Sequence, residues 1–450
     1  MLNEYTSRYR GRKVGFVGVG ISNIPIIKAF CAAGAEVKVR DAKPREKIYG
    51  IEKLDGIKAV FYTGPDYLDG IDEELLFLAP AIRPDKPELA AAKARGTVLT
   101  TELNEFLALC PCRTVGVTGS DGKTTTTTLI AKILTAGGHT VHLGGNIGVN
   151  LFETIDNIKK DDYAVIEFSS FQLMKMTRSP DIAVITNLSP NHLDWHTDMT
   201  EYLEAKKNIY RFNPECRLIT NIDNAATAAI AAERQAVPVS CTRFTDTGAC
   251  FYDGWIYRNG RKVVPDKDII LPGIHNRYNY CCAAAATEGL ASDTAVASVA
   301  RSFRGVEHRC ELVRTVNGVK YYNSSIDSSP TRTAAACNAF PGKVILIAGG
   351  YDKHIPLEPL GDTFCRKVSS CVLMGDTADK IEKVLSDAGY SGKIKRADSM
   401  EEAVSAAAGM AVPGDTVLLS PAAASFDKFR NFEERGNVFK ECVNRLPERR

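Results

Sequence analysis

Gly119-Ser120-Asp121-Gly122-Lys123-Thr124 follows a short apolar run at residues 114–117 and opens a helical pattern that reaches about residue 136. A strand feeding a glycine turn that feeds a helix is the setting in which a backbone can hold phosphate. Glycines let N–H groups approach phosphate oxygens closely, and the helix N-terminus adds favourable partial charge. In that setting Lys123 reaches the β- and γ-phosphates as a point charge, and the Thr124 hydroxyl ligates magnesium. The spacing is shorter than the full G-x-x-x-x-G-K-[ST] pattern, because position 117 is Val. A glycine-rich turn with no ligand is the alternative; the Lys-Thr pair and the further threonines through Thr128 favour phosphate. The loop alone leaves a kinase, a motor ATPase and a ligase open.

Working outward from it, 450 residues exceed one ordinary core, and two to four domains are expected. Three blocks separate, at residues 1–109, 110–307 and 308–450. The first opens with a β-rich run at 13–20, a helical pattern at 24–33 stopped by Gly34, and a strand at 36–40 ending at Asp41. That is a β-α-β unit with glycines in its first turn. A strand at 75–78 then leads into Ala79-Pro80-Ala81-Ile82-Arg83-Pro84. In the second block, apolar runs at 114–117, 163–168, 182–186 and 217–221 each end in polar residues, as parallel strands with functional C-terminal ends do. A less regular, β-flavoured stretch at 244–271 precedes an alanine-rich helix at 276–291. The third block alternates strands at 344–348, 370–374 and 416–420 with helices that include 376–388 and 400–408. The fold class is therefore α/β, in three domains.

Hydrophobic residues at 44% and charged residues at 24% are those of a globular chain. A net charge of +2 gives no basis for nucleic acid or an anionic membrane as partner, and leaves room for a local basic pocket. The polar start at 1–13 precedes a glycine-rich run too short for a signal peptide, and no stretch approaches the ~20 apolar residues of a membrane span. Thirteen scattered cysteines lack zinc-site spacing even at Cys110/Cys112 and Cys281/Cys282, and read as reduced thiols of a cytoplasmic protein.

Three residues downstream of the loop are candidates for its chemistry. Glu167 ends the apolar run Ala164-Val165-Ile166, where an acid beside a phosphate loop suits magnesium; the alternative is a solvated strand end. His192, in Asn187-Leu188-Ser189-Pro190-Asn191-His192, suits a metal ligand, a general base or a satisfied structural group, and by itself reads as structural. Lys206 lies on a helical pattern at 201–211, one turn from Tyr202 and Tyr210, and by itself reads as a solvated surface charge.

Together these motifs resemble a known family. Thr118-Gly-Ser-Asp-Gly-Lys-Thr-Thr125, Gly145-Asn-Ile-Gly148, Glu167-Phe-Ser-Ser-Phe-Gln-Leu173, Asn191-His-Leu-Asp194, Ala205-Lys206, Leu271-Pro-Gly-Ile-His-Asn276 with Asn279, and His308-Arg309 run in the order of the Mur ligases. The resemblance implies a Rossmann-like N-terminal domain, a central P-loop ATPase-type parallel-sheet domain and a C-terminal Rossmann-like α/β domain. Gly18-Val19-Gly20-Ile21-Ser22 with Asp41 resembles the members that use the shorter UDP-sugar substrates, and the run from Leu419 to Asp427 and on to Gly436 resembles those that add D-glutamate to UDP-N-acetylmuramoyl-L-alanine. No Asp-Asn-Pro-Arg sequence marks a diamino-acid ligase.

What the resemblance implies is an ATP- and magnesium-dependent amide ligase of peptidoglycan precursor synthesis, working as a monomer through an acyl phosphate. ATP would meet Gly119, Ser120, Asp121, Gly122, Lys123, Thr124, Thr125, Asn276, Asn279 and Arg309. Magnesium would meet Thr124, Glu167, His192 and Lys206, with Lys123, His192 and Lys206 catalytic and Lys206 carbamylated. The UDP-sugar would lie near Ile21, Ser22 and Asp41 and reach Asn146, and D-glutamate would meet Lys353, Ser425 and Phe432. Against the family pattern Asn-Asp-Ser-Lys-Ala-Thr the chain reads Asn323-Ser-Ser-Ile-Asp-Ser328, so Ser324 and Ile326 replace an acid and a lysine; Asp327 is the candidate to restore the acid. The Ser-Pro-Gly turn of the first block is Ala79-Pro80-Ala81. A ligase of the same superfamily for another amino acid, such as a folylpolyglutamate synthase, and a non-catalytic ATP-binding relative are the competing readings.

Overall fold

The computed structural model describes residues 1–448 except Ile21, Tyr49, Gly148, Leu193, Asp194, His354 and the side chain of Pro359. Its first sheet is parallel and holds β1 (Lys13–Val17), β2 (Glu36–Asp41), β3 (Ala59–Thr63), β4 (Leu75–Leu78) and β5 (Val98–Thr100), in the order β3-β2-β1-β4-β5. The winding reverses between β1 and β4, and such a switch point opens a crevice outside the strand C-termini.

The second sheet contains β6 (Arg113–Thr118), β7 (Val141–Gly145), β8 (Tyr163–Glu167), β9 (Ile182–Ile185), β10 (Arg217–Asn221), β11 (Val237–Ser240), β12 (Ala249–Tyr252), β13 (Trp255–Arg258) and β14 (Arg261–Pro265). Their order is β14-β13-β12-β11-β10-β9-β6-β8-β7, parallel from β7 to β12 and antiparallel through β13 and β14. Because β6 lies between β8 and β9, the loop that leaves it is flanked by the ends of both.

In the third sheet β15 (Glu311–Val316) and β16 (Val319–Asn323) form an antiparallel hairpin. Beside it run β17 (Val344–Ala348), β18 (Val368–Leu373), β19 (Lys393–Arg396) and β20 (Thr416–Leu419), in the order β15-β16-β20-β17-β18-β19 and parallel from β16 onward. Period-two alternation splits its strands between two cores: Ile345, Ile347 and Leu419 face one, and Leu346, Cys371 and Leu418 the other.

The chain forms two compact units. One comprises Met1–Pro265 with Tyr278–Val299 and carries the first two sheets; the other comprises Asp266–Arg277 with Ala300–Arg450 and carries the third. In the first unit Phe16, Phe30, Phe77, Phe106, Phe152 and Phe168 share one continuous core. Each buried ring is worth about 1.5–3 kcal/mol of transfer free energy, so the two sheets are fastened by the same force that builds each of them.

The apolar runs located the interior strands β2, β4, β6, β8, β9, β10, β17, β18 and β20 to within two residues, overshot the end of β1 by three, and missed the interior strands β11 and β16. The strands they did not announce are mostly edges: β3, β5, β7, β15 and β19 all end their sheets. An edge strand is half solvated and carries no continuous apolar run, as Lys-Ile-Lys-Arg in β19 shows. The alanine-rich helix, Ile274–Ala286, starts two residues earlier and ends five earlier than expected.

Candidate active site

The turn between β6 and the helix Lys123–Ala136 is pinned by the segment after β9. Ser120 N donates to Asn187 O at 2.9 Å, Asp121 N to Asn187 Oδ1 at 3.0 Å, and Thr186 Oγ1 to Asp121 O at 2.6 Å. Ser120 Oγ donates to Ser189 O at 2.9 Å and lies 2.9 Å from the Tyr202 hydroxyl. Gly122 has φ 77°, and a Cβ there would overlap Asn279 Oδ1, so no other residue fits this approach. Asn279 is thereby placed against the loop and accepts from Thr126 Oγ1 at 3.2 Å. Lys123 Nζ folds back onto the carbonyls of Gly119 and Ser120 at 3.0 and 2.9 Å.

Glu167 is 2% exposed, which overturns the solvated strand end. Gly145 turns at φ 89°, where a Cβ would overlap the Glu167 carbonyl, and this close turn presents Asn146. Asn146 N donates to Glu167 O at 2.8 Å and its Nδ2 to Oε1 at 2.7 Å, while Oε2 is buried with no partner among the described residues. A buried carboxylate oxygen left open is costly unless a cation or donor meets it. Thr124, in the first turn of the helix Lys123–Ala136, offers a hydroxyl next to the loop. A carboxylate and a hydroxyl are oxygen donors of the kind magnesium takes. Among the described residues no three His, Cys, Asp or Glu side chains gather as a cage.

Lys206 is 1% exposed, so the surface-charge reading of this lysine is wrong. On the helix Met199–Arg211, capped by Asp198 on Glu201 N, the residues Tyr202, Ala205, Lys206, Ile209 and Tyr210 form one buried stripe. Their spacing is that of an apolar helix face, and a lysine inside it was the signal available in the sequence. Nζ donates to Thr118 Oγ1 at 3.1 Å and Gly119 O at 2.9 Å and lies 4.8 Å from the Tyr202 ring centroid. Burial, then the nearby Lys123, hold its pKa well below the ordinary lysine value, opposed by Glu167 and Asp121.

His192 takes a left-handed φ of 55° and sets its exposed ring 4.9 Å from Phe171. Two residues of its motif, Leu193 and Asp194, lie outside the described residues. The buried imidazole here is His196, which sequence reasoning did not single out: it contacts Ser170 Oγ at 2.9 Å and Glu201 Oε2 at 3.1 Å. Burial lowers its pKa, so it stands as a neutral spacer.

In the first sheet, Asp41 ends β2 and accepts Val19 N at 2.9 Å and Lys43 N at 2.9 Å, closing the glycine turn over the end of β1. Asn23, at the place of a third glycine, donates to Gly18 O at 2.8 Å. Ser22 O accepts Asn150 Nδ2 at 2.8 Å, which ties this turn to the second sheet. Ile21 lies outside the described residues. Asn146, expected at the far end of the UDP-sugar, has its amide engaged by Glu167.

In the second unit, Asn276 Nδ2 donates to Pro272 O at 2.6 Å and Arg309 N to Val306 O at 2.9 Å. Lys353 is exposed, 5.9 Å over Phe426, and Ser425 is buried. Phe432 O accepts Ser325 Oγ at 2.8 Å, and its ring meets His308 edge-on. Asp327 is buried and accepts Ser420 Oγ at 2.9 Å; burial raises its pKa, so it serves the loop after β20. Arg435, a further residue the sequence did not flag, is buried and donates to Ser325 Oγ and to the carbonyls of Ser325, Ala423 and Ala424 at 2.8–3.1 Å.

Known proteins match this arrangement along its whole length. The Mur ligase middle domain matches residues 117–287, and the Mur ligase glutamate ligase domain residues 308–423. The UDP-N-acetylmuramoylalanine--D-glutamate ligase of Acetivibrio thermocellus is 47% identical, with 99% of each chain covered. The chain belongs to the Mur ligase family. A second relative, the UDP-N-acetylmuramoylalanine--D-glutamate ligase of Ruminiclostridium cellulolyticum, is 44% identical with 99% of each chain covered. In fold, this Mur ligase is similar to UDP-N-acetylmuramate-alanine ligase of Thermotoga maritima, with a TM-score of 0.58 and 18% identity over 96% of this chain and 99% of that one. No helix among its described residues is long and apolar enough to cross a membrane.

Proposed function

We propose that this Mur ligase joins D-glutamate to UDP-N-acetylmuramoyl-L-alanine at the expense of ATP, in the cytoplasmic synthesis of peptidoglycan precursors. The observation that carries this reading is the full-length likeness to D-glutamate ligases at 44–47% identity, which accompanies an intact loop, Glu167 and Lys206. The proposed division is three domains at 1–109, 110–307 and 308–450, acting as a monomer.

A free carboxylate is a poor acyl donor because oxide is a poor leaving group. Phosphorylation of the acceptor carboxylate supplies phosphate as the leaving group, and the D-glutamate amine attacks through a tetrahedral oxyanion. The protein's task is then to hold and neutralise anions. Lys123 exchanges its two loop carbonyls for phosphate oxygens, and the amides from Gly119 to Thr125 line the cradle. Magnesium, when bound, supplies charge neutralisation on the phosphates, and Thr124, Glu167, His192 and a carbamylated Lys206 are the residues that would hold it. Asn279, pressed against Gly122, contacts the nucleotide, and Asn276 and Arg309 remain nucleotide-binding residues by resemblance. Ile21, Ser22 and Asp41 border the UDP-sugar, with Asn146 turned to Glu167. Lys353, Ser425 and Phe432 meet D-glutamate. Incorporation of labelled D-glutamate into UDP-N-acetylmuramoyl-L-alanine, dependent on ATP, tests the reading; product with another amino acid in its place would refute it.

A further inference from the structure

Lys175 is a buried lysine that none of these roles uses. It follows the short helix Ser170–Leu173 in the segment that begins at Glu167, and it is 8% exposed. Its Nζ donates to three carbonyls of one turn of the first sheet: Ala79 at 2.8 Å, Pro80 at 2.6 Å and Ile82 at 2.9 Å. That turn leaves β4 and packs on the turn that leaves β1, where a Cβ on Gly18 would lie 2.7 Å from Ala79 Cβ. It therefore stands at the switch point between β1 and β4, where a ligand crevice belongs.

The carbonyls that Lys175 gathers decide where the turn's donors go. Every peptide bond described is trans, and a trans unit points its C=O and the following N–H to opposite sides. With the Pro80 and Ile82 carbonyls drawn inward, the N–H groups of Ala81 and Arg83 face the other way. Neither has a hydrogen-bond partner among the described residues. A lysine that gathers the carbonyls on one side leaves two outward N–H groups on the other, and such a donor-rich turn is chemistry for phosphate oxygens. The turn is also braced at its far end. Arg83 donates to Glu201 Oε1 at 2.8 Å and Trp195 O at 2.7 Å, and Glu201 in turn holds His196.

We propose that Lys175 is a positioning residue for the diphosphate of the UDP-sugar acceptor, holding residues 79–82 so that the amides of Ala81 and Arg83 meet it. The inference rests on the acceptor proposed above. Lys175 does not touch the acceptor; it acts through the turn, from the segment that also carries Glu167.

The test uses the full chain as wild type, Lys175→Met and Lys175→Arg, with kinetics in each of the three substrates and a calorimetric titration with UDP. Lys175→Met should raise the acceptor KM about tenfold or more and weaken UDP binding by the same factor, with kcat and the ATP KM within about twofold. Lys175→Arg should recover part of the loss. Unchanged acceptor KM and UDP affinity, or a common change in all substrates and kcat, would overturn the role. If Lys175→Met does not fold, a rise confined to the acceptor in Lys175→Arg supports the proposal, and its absence overturns it. An active wild type with a kinetically normal Lys175→Met removes the positioning role alone. A wild type that binds UDP through Lys175 yet forms no product removes the ligase reading alone, and one that binds no UDP removes both.

Discussion

Lys123 and Lys206 donate to one acceptor, the Gly119 carbonyl oxygen, at 3.0 and 2.9 Å. Two ammonium groups this close repel, and Lys206, the more deeply buried, is the one driven toward its neutral form. A neutral amine is the species that adds CO2. The product, a carbamate, would place an anion beside Lys123, where the neutral amine stood. Labelled bicarbonate should therefore mark the wild-type chain and not Lys206→Met, and activity should rise with added bicarbonate. Lys206→Met should lower kcat by about a hundredfold or more. An unmarked active enzyme would count against the carbamate.

Glu167 has one oxygen tied to Asn146 and one open. Glu167→Gln keeps the shape and removes the charge, so kcat should fall about a hundredfold and the magnesium needed for half-maximal rate should rise about tenfold. Asn146→Ala, which only frees the carboxylate to rotate, should shift the magnesium dependence in the same direction by less. Rates across a magnesium series read both effects.

Glu102, on the helix Glu102–Leu109, is 7% exposed, and burial pushes its pKa from 4.5 to about 8. The folded chain thus keeps a proton that the unfolded chain releases between these values, and this group's contribution to stability declines as pH rises from 4.5 to about 8. Glu102→Gln removes that decline. Its melting temperature should match wild type near pH 5 and exceed it at pH 8, by about 1–3 kcal/mol of stability. Equal melting shifts at both pH values would contradict the assignment.

Arg435 is the clamp of the loop after β20, and burial lowers its pKa to about 10. Arg435→Met would leave the carbonyls of Ser325, Ala423 and Ala424 without their donor, at about 3 kcal/mol. Denaturant unfolding should show that loss. Since the same loop carries Ser425, the D-glutamate KM should rise while the acceptor KM does not.

Interior strands such as β4, β9 and β17 were legible because burial on both faces demands an unbroken apolar run, whereas β3, β7 and β19 were not, because an edge needs none. The same asymmetry holds at the site. The loop from Gly119 to Thr124 is a local pattern whose backbone demands are written in neighbouring residues. Lys175, Glu102 and Arg435 carry no such pattern, since their partners lie far along the chain.

The sequence by itself determined the phosphate loop, the α/β winding and the family, because contiguous residues set turns, strand periods and motif order. Tertiary structure decided the state of each charge. Lys206 became a buried, depressed amine because its helix stripe faces the loop; Glu167 kept an open oxygen because Asn146 claims the other; and Lys175 found its carbonyls on another sheet. Desolvation and Coulomb interaction depend on distances that exist only once the chain is folded, and no spacing in the sequence encodes them.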